Sequence, residues 1–309
     1  MSLLVTVPRP ELARDLEPLP EGVSVLVWPM DAPAGDSGVP TSIDIVVPPY
    51  MSADRALPLL AGLQVRLVQG QSIGYEGIER LLPPGTVFAN AATVHETSTA
   101  ELAVGLTLAA QRHLDQFAVD TRARSWHPVF SESLADRRVL LLGYGGVGKA
   151  VAARLAPFEV DLVPVASHAR DEHGVHVHGI EELASLLPSA EIVILTLPGG
   201  AATRHVIGEE QLAALPDGAL VVNVGRGPLI DTDALTRHVQ AGRIRAALDV
   251  TDPEPLPESH PLWGAAGVLI SPHVGGASSA MHPRIAALVK RQIAHLLADE
   301  EPENIVIRT

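Results

Sequence analysis

The sequence has no cysteine in its 309 residues. Disulfides, thiolate metal sites and cysteine nucleophiles are therefore excluded. Aromatic side chains are scarce at 3%, so Ala, Val and Leu must fill the core. Basic residues are few, 22 against 36 acidic ones, for a formal net charge of −14. A surface of that sign repels phosphate backbones, and no nucleic-acid partner is expected. Long apolar runs are also missing: none approaches the ~20 residues that span a bilayer, so no membrane partner is expected. The segment from Met1 to Pro8 has neither the basic start nor the apolar stretch of a secretion signal. A soluble cytoplasmic protein is the expectation.

What the chain does have is an apolar share of 47%, spread over a length suited to two domains. Short aliphatic runs at Val23–Val27, Ile43–Val47, Val65–Val68 and Val87–Asn90 read as buried strands of an α/β domain. Ala53 to Ala61 reads as a short helix broken near Pro58. Thr97 to Phe117 reads as one long helix with a Ser98/Glu101 capping box, a natural bridge between domains. Leu102, Leu106, Ala109, His113 and Phe117 would lie on its apolar face. A second α/β set starts at Arg138. Its strands are expected at Val139–Leu142, Val160–Ala166, Ile192–Leu197, Leu220–Val224, Ala246–Val250 and Val268–Ile270. Six strands alternating with helices match a full dinucleotide-binding domain. Pro164 does not suit a central strand and reads as a bulge or an early strand end. A last helix, Pro283 to Leu297, precedes a strand near Asn304–Ile307 that would rejoin the first domain.

Gly143-Tyr144-Gly145-Gly146-Val147-Gly148 stands between a strand and a helix in G-x-G-x-x-G spacing. The first glycine permits a sharp turn, the second lets backbone approach a pyrophosphate, and the third lets helix and strand pack closely. The helix N-terminus then faces the phosphates with partial positive charge. NAD sites usually carry an acid at the end of the second strand. Here that region reads Ala166-Ser167-His168-Ala169-Arg170. Asp161 comes too early and Asp171 too late, whereas Ser167, His168 and Arg170 could surround a 2′-phosphate. NADP(H) is therefore favoured, with NAD(H) possible. His173, His176 and His178 lie on a polar connection without a carboxylate or cysteine at matching spacing. They read as surface side chains, and no metal site is expected.

Three residues downstream carry the chemistry: Arg226 in Asn223-Val224-Gly225-Arg226-Gly227, Glu254 in Asp252-Pro253-Glu254-Pro255, and His273 in Ser271-Pro272-His273-Val274-Gly275-Gly276. Hydride transfer to a 2-oxo acid needs a cation for the carboxylate, an imidazole to protonate the carbonyl oxygen, and an acid to keep that imidazole protonated. Singly, each residue could be a salt-bridge partner, a loop acid or a satisfied histidine. Together, in this order, they are hard to explain that way. His95, His127, His260 and His282 stay outside the trio, and Trp263 is expected beneath the loop that carries it.

These segments, with the glycine turn and Leu248-Asp249-Val250, resemble the D-isomer-specific 2-hydroxyacid dehydrogenase family, in particular its glyoxylate/hydroxypyruvate reductases. The resemblance covers nearly the whole chain. It implies two doubly wound parallel-sheet α/β domains with the site in the cleft between them. A Rossmann cofactor domain (96–283) would be inserted in a flavodoxin-like substrate domain (1–95 plus 284–309). It implies that Arg226, Glu254 and His273 are catalytic and that Asp249 binds the nicotinamide carboxamide. Thr196, Leu197 and Pro198 would line the cofactor path, with Val224, Gly225, Arg226, His273 and Gly275 also near the cofactor. Ser72, Ile73 and Gly74, in Gln71-Ser72-Ile73-Gly74-Tyr75, would hold the substrate carboxylate together with Arg226 and His273. The expected activity is NAD(P)-dependent reduction of a small 2-oxo acid such as glyoxylate or hydroxypyruvate, by a homodimer joined through its cofactor domains. A 3-phosphoglycerate dehydrogenase is the alternative enzyme, although the first domain has no Lys or Arg cluster for a phosphate. A non-catalytic dinucleotide-sensing corepressor is the alternative outside enzymes.

Overall fold

The computed structural model describes residues 2–309. The chain forms two compact units, Met1–His95 with Ser278–Thr309, and Glu96–Ala277. Residues 278–283, placed in the second domain on sequence grounds, group with the first unit.

The first unit opens with β1 (Leu3–Val7), α1 (Pro10–Asp15), β2 (Val23–Val27), β3 (Ser42–Val46), the single-turn α2 (Ala53–Ala56), β4 (Gln64–Gln69) and β5 (Val87–Ala89). β1 pairs in parallel with both β2 and β3 and is therefore central. The strand is not evident from the sequence of this segment. Its alternation is hidden because four of its five residues are buried, as expected for a strand covered on both faces. Past α2 the backbone tightens into a 3-10 turn, Leu57–Leu60, with Pro58 inside it, as expected from that proline.

The second unit begins with α3 (Glu96–Gln111) and α4 (Leu114–Ala123). The single expected helix is thus two. His113 adopts φ +54, the left-handed region that ends an α-helix. Ser98 lies inside α3, so the capping box is not formed as expected. The buried face is only partly the expected one: Leu106 is buried and Leu102 packs beside it as expected, but Ala100, Ala103 and Val104 join them against Val139 and against Val151 and Leu155 of the helix after the glycine turn, while Phe117 is exposed. Small alanines allow that close helix–helix approach.

The unit continues through β6 (Arg138–Leu142), α5 (Gly146–Leu155), β7 (Asp161–Ala166), β8 (Arg170–Glu172), β9 (Val175–Gly179), α6 (Leu183–Leu186) and β10 (Ile192–Leu195). It ends with α7 (Glu209–Ala214), β11 (Ala219–Asn223), α8 (Thr232–Gln240), β12 (Ile244–Leu248) and β13 (Val268–Ile270). Its sheet runs β13-β12-β11-β10-β6-β7-β9-β8. Apart from the antiparallel edge strand β8, this is the strand order of a dinucleotide-binding fold, reversing between β6 and β10. The tract holding His173, His176 and His178 is not a plain connection: it forms the β8–β9 hairpin. Pro164 is neither a bulge nor a strand end, since it pairs in register with Leu141. β9 joins β7 only at Val165 and Ala166, so at Pro164 that flank needs no ladder hydrogen bond.

The chain then returns to the first unit with α9 (Met281–Leu297) and β14 (Ile305–Arg308). The buried stripe of α9, Ile285, Leu288, Val289, Ile293 and Leu296, packs on Leu3, Val5, Ile45 and Leu67. β14 pairs antiparallel with β5, completing the order β14-β5-β4-β3-β1-β2. Without the returning strand this is the flavodoxin-like order. Among the described residues, no helix is long and apolar enough to cross a membrane.

Candidate active site

The glycine turn follows β6 where the strand order reverses, the usual place for a ligand in an open α/β sheet. Gly143 adopts φ +106, and a Cβ there would lie 2.7 Å from Thr196 Oγ1. A Cβ on Gly148 would lie 2.0 Å from the Gly143 carbonyl oxygen. Both positions therefore exclude any side chain. Gly145 differs: its Cβ would meet nothing within 4 Å. It is also the N-cap of α5, with no side chain capping the helix. Open space above uncapped amides is a cradle of the kind a pyrophosphate fills, so these residues fit a dinucleotide. Thr196 Oγ1 donates to the Gly143 carbonyl at 3.0 Å and fixes the turn to the end of β10. Leu197 and Pro198 follow it in the chain.

Ser167 and His168 are exposed just past β7, and Arg170 opens β8. One Arg170 Nη donates to the Tyr144 carbonyl of the glycine turn at 3.4 Å, so the arginine reaches back over the cradle. Two further neighbours are not among the residues expected from sequence. Lys149 lies 5.9 Å from the Tyr144 ring centroid, and Glu172 pairs with both Lys149 and Arg170. Lys149, Arg170 and their charges hold the Glu172 carboxyl below its usual range. Lys149 was legible as the residue after the last turn glycine, whereas Glu172 needed the β8 pairing.

Arg226, Glu254 and His273 all belong to the second unit. Arg226 follows β11. Asn223 fixes the bend there, its Nδ2 donating to the Arg226 carbonyl at 2.8 Å and its Oδ1 accepting from the Gly225 N–H at 3.0 Å. An Asn two residues before a Gly at a strand end signals such a turn, yet its role was not anticipated. A Cβ on Gly227 would come within 1.9 Å of the Thr251 carbonyl, so the segment bearing Arg226 runs hard against the start of the acidic loop.

Asp249 follows β12 and is 3% exposed. Its Oδ1 accepts from the Ser271 hydroxyl at 2.6 Å and the Val274 N–H at 2.9 Å, and its Oδ2 from the Gly275 N–H at 2.8 Å. Its carbonyl oxygen accepts from the His273 N–H at 2.8 Å. Four bonds thus lash the loop that carries His273 to the end of β12. One carboxylate lone pair remains for another donor. That loop needs anchoring, because His273 sits at φ +52, a conformation unfavourable for a residue with a side chain.

His273 Nδ1 lies 2.5 Å from Glu254 Oε1. A carboxylate only accepts, so Nδ1 carries the proton toward it and Nε2 is left for chemistry. The Glu254 hydrogen bond raises the His273 pKa above its ordinary value; burial opposes this, the charges of Glu254 and Asp249 add to it, and Arg226 opposes it. At Glu254 burial acts upward but is outweighed by the His273 hydrogen bond and charge, with the Thr251 backbone and Arg226 also acting downward. The pair is thus biased toward imidazolium and carboxylate, and the Arg226 charge acts on both.

In the first unit, the Ser72–Gly74 loop follows β4. Its carbonyls are tied down by Ala91 N–H on Ser72 at 2.9 Å and Asn90 Nδ2 on Ile73 at 2.8 Å. His95, stacked on Tyr50, places Nε2 at 2.6 Å from the Gln71 carbonyl and so braces this loop. A cavity of 450 Å³ opens beside Gln71, Ser72 and Gly74. The other histidines outside the trio make local contacts, His260 accepting from Leu262 N–H and His282 meeting Arg9. Trp263 does not pack beneath the loop. Half its surface is exposed, and its Nε1 donates to the Pro257 carbonyl at 2.9 Å, which props the far end of the acidic segment. The expectation that no carboxylate matches His176 and His178 is also corrected: Asp171 and Glu182 both contact them.

A family model for the D-isomer specific 2-hydroxyacid dehydrogenase NAD binding domain matches residues 104–275. A glyoxylate reductase of Thermofilum pendens is 30% identical over 80% of this chain and 76% of its own. A glyoxylate/hydroxypyruvate reductase B of Pectobacterium atrosepticum is 31% identical over 79% of each chain. A solved NADPH-dependent glyoxylate/hydroxypyruvate reductase of Sinorhizobium meliloti, in complex with NADP and malonate, superposes with a TM-score of 0.78 at 26% identity, covering 100% of this chain and 99% of that one.

Proposed function

Because the chain belongs to the D-isomer-specific 2-hydroxyacid dehydrogenase family, whose members are NAD(P)-dependent oxidoreductases, we propose that it reduces glyoxylate, hydroxypyruvate or a similarly small 2-oxo acid, with NADPH preferred. The observation that carries this reading is the Glu254–His273 pair held beside Arg226, with His273 biased toward its protonated form. When bound, the reduced nicotinamide supplies the hydride. Arg226 pairs with the substrate carboxylate and polarises the adjacent carbonyl. His273 gives its Nε2 proton to the carbonyl oxygen as it becomes an alcohol, and takes it back in the oxidative direction. Glu254 stabilises the imidazolium before transfer and orients the ring. Asp249 keeps the His273 loop in place and has one lone pair left for a carboxamide N–H. Ser72, Ile73 and Gly74 supply backbone amides toward the carboxylate.

The NADPH preference rests on Ser167 and His168 standing where NAD sites carry an acid, with Arg170 and Lys149 close to the glycine turn. A 2′-phosphate would compete with Glu172 for both cations. A homodimer joined through the second unit is part of the same proposal. Trp126 and Phe130, 93% and 103% exposed, lie with the exposed Val129 on the segment between α4 and β6, and large exposed apolar side chains are what a subunit contact would cover.

The test is a panel of 2-oxo acids assayed in parallel with NADH and NADPH. Oxidation of NADPH with glyoxylate or hydroxypyruvate is expected, with higher kcat/KM than NADH. Tight cofactor binding without turnover on any 2-oxo acid would refute it and favour a dinucleotide sensor.

A further inference from the structure

The β8–β9 hairpin carries a second cluster that the reaction does not use. His176 and His178 are two apart on β9 and share one face, with the buried Val177 between them on the other. Asp171 of β8 is paired directly across from His176, so it projects to the same face. Arg170 and Glu172 fall on the opposite face, toward the glycine turn. Just past β9 the chain turns into α6, and Glu182 comes back under His178.

The contacts are specific. His178 Nδ1 lies 2.8 Å from Glu182 Oε2, and His176 Nδ1 lies 2.9 Å from Asp171 Oδ1. Glu182 is itself held, because its Oε1 accepts the Gly179 N–H at 2.9 Å. The two imidazoles meet edge to face with centroids 4.6 Å apart. One ligand atom from each of His176, His178 and Glu182 lies within 4.8 Å of the others. Two ligands on a tetrahedral metal with bonds of about 2.1 Å stand roughly 3.4 Å apart, so the ion would take the place of the proton that His178 Nδ1 and Glu182 Oε2 share across 2.8 Å.

We propose that His176, His178 and Glu182 form a binding site for a divalent transition ion of the zinc class, with Asp171 orienting the His176 ring. Two nitrogen donors and one carboxylate select borderline ions such as Zn²⁺, Ni²⁺ or Cu²⁺ over Mg²⁺ and Ca²⁺, which demand oxygen. His176, which donates Nδ1–H to Asp171, is held with Nε2 free and its basicity raised, the arrangement found behind metal-bound histidines. Water fills the remaining positions. The ion cross-links β9 to the turn that opens α6. Because β9 pairs with Val165 and Ala166 of β7, that cross-link lies beside the strand that leads into Ser167–Arg170.

The experiment is calorimetric titration of tag-free, chelator-stripped protein with ZnCl₂, and separately with MgCl₂. One equivalent of Zn²⁺ should bind, with no saturable Mg²⁺ heat. In the double variant His176→Ala/His178→Ala the Zn²⁺ affinity should fall at least about tenfold, whereas His173→Ala, on the same hairpin, should match the wild type. Far-UV circular dichroism of each variant checks that the fold is retained. Absence of saturable Zn²⁺ binding to the wild type, or equal affinity in the double variant, overturns the site. Comparable Mg²⁺ binding overturns the assigned metal class.

Discussion

Replacing Asp249 by Ala tests whether the His273 loop is held as the structure indicates. The carboxylate is buried and accepts from Ser271, Val274 and Gly275. The Ser271 hydroxyl can turn to another partner, but the two backbone amides cannot. Leaving a partly or fully buried N–H unsatisfied costs about 1–3 kcal/mol. Two of them place the loss near 4 kcal/mol. For a domain of this size each kcal/mol lowers the melting midpoint by roughly 2–4 °C, so Asp249→Ala should melt on the order of 10 °C below the wild type. Asp249→Asn keeps an oxygen for Ser271 and Val274 and loses only the acceptor facing Gly275, so its loss should be about half as large. Activity follows the same order, because displacing a proton donor by 1 Å costs about 10²-fold. Thermal melts and kcat for the three proteins decide it. If the alanine variant melts within about 2 °C of the wild type, these bonds do not anchor the loop.

Three further outcomes follow from the trio. Glu254→Gln removes the largest cause of the raised His273 pKa. Reduction needs the imidazolium, so kcat/KM is high below the raised pKa and falls above it; in the variant that falling limb should move to lower pH, as should the rising limb of the oxidative reaction, and an unmoved limb in pH profiles assigns the titration elsewhere. His273→Gln should fold and bind cofactor, read by fluorescence titration, while turnover falls about 10²- to 10⁴-fold; full activity would mean another group delivers the proton. Arg226→Ala should raise KM and lower kcat together, with kcat/KM down on the order of 10²- to 10³-fold; unchanged constants would show that a different cation grips the substrate.

Much of the architecture was legible because the buried strands of parallel sheets are short aliphatic runs, and these stand out between the many glycines and prolines. Two of the misreadings, at β1 and at Pro164, share a cause: the deciding contact was distant. β1 has no alternation, since both faces are covered. The helix break at His113 carries no proline or glycine, only a left-handed backbone at an ordinary residue. Pro164 looked wrong for a central strand because the shortness of β9, which leaves its flank open, is not written near it.

The site divides in the same way. Residues proposed to do chemistry come in local motifs, so Arg226, Glu254 and His273 stand out as candidates from residue type and order. Residues that hold those motifs in place act across gaps in the chain. Asp249 reaches 22 to 26 residues forward to tie down the His273 loop. Gly227 admits the backbone of Thr251, and Glu172 gathers Lys149, from just after the glycine turn, together with Arg170. The histidine cluster on the hairpin makes the point from the other direction. Read by spacing, His176 and His178 lacked a partner carboxylate. Antiparallel pairing supplied Asp171 from five residues back, and the turn into α6 supplied Glu182 from four residues on. Sequence proximity was ample in both cases; what spacing could not convey was the direction of the side chains, which is set only once the strand faces are known.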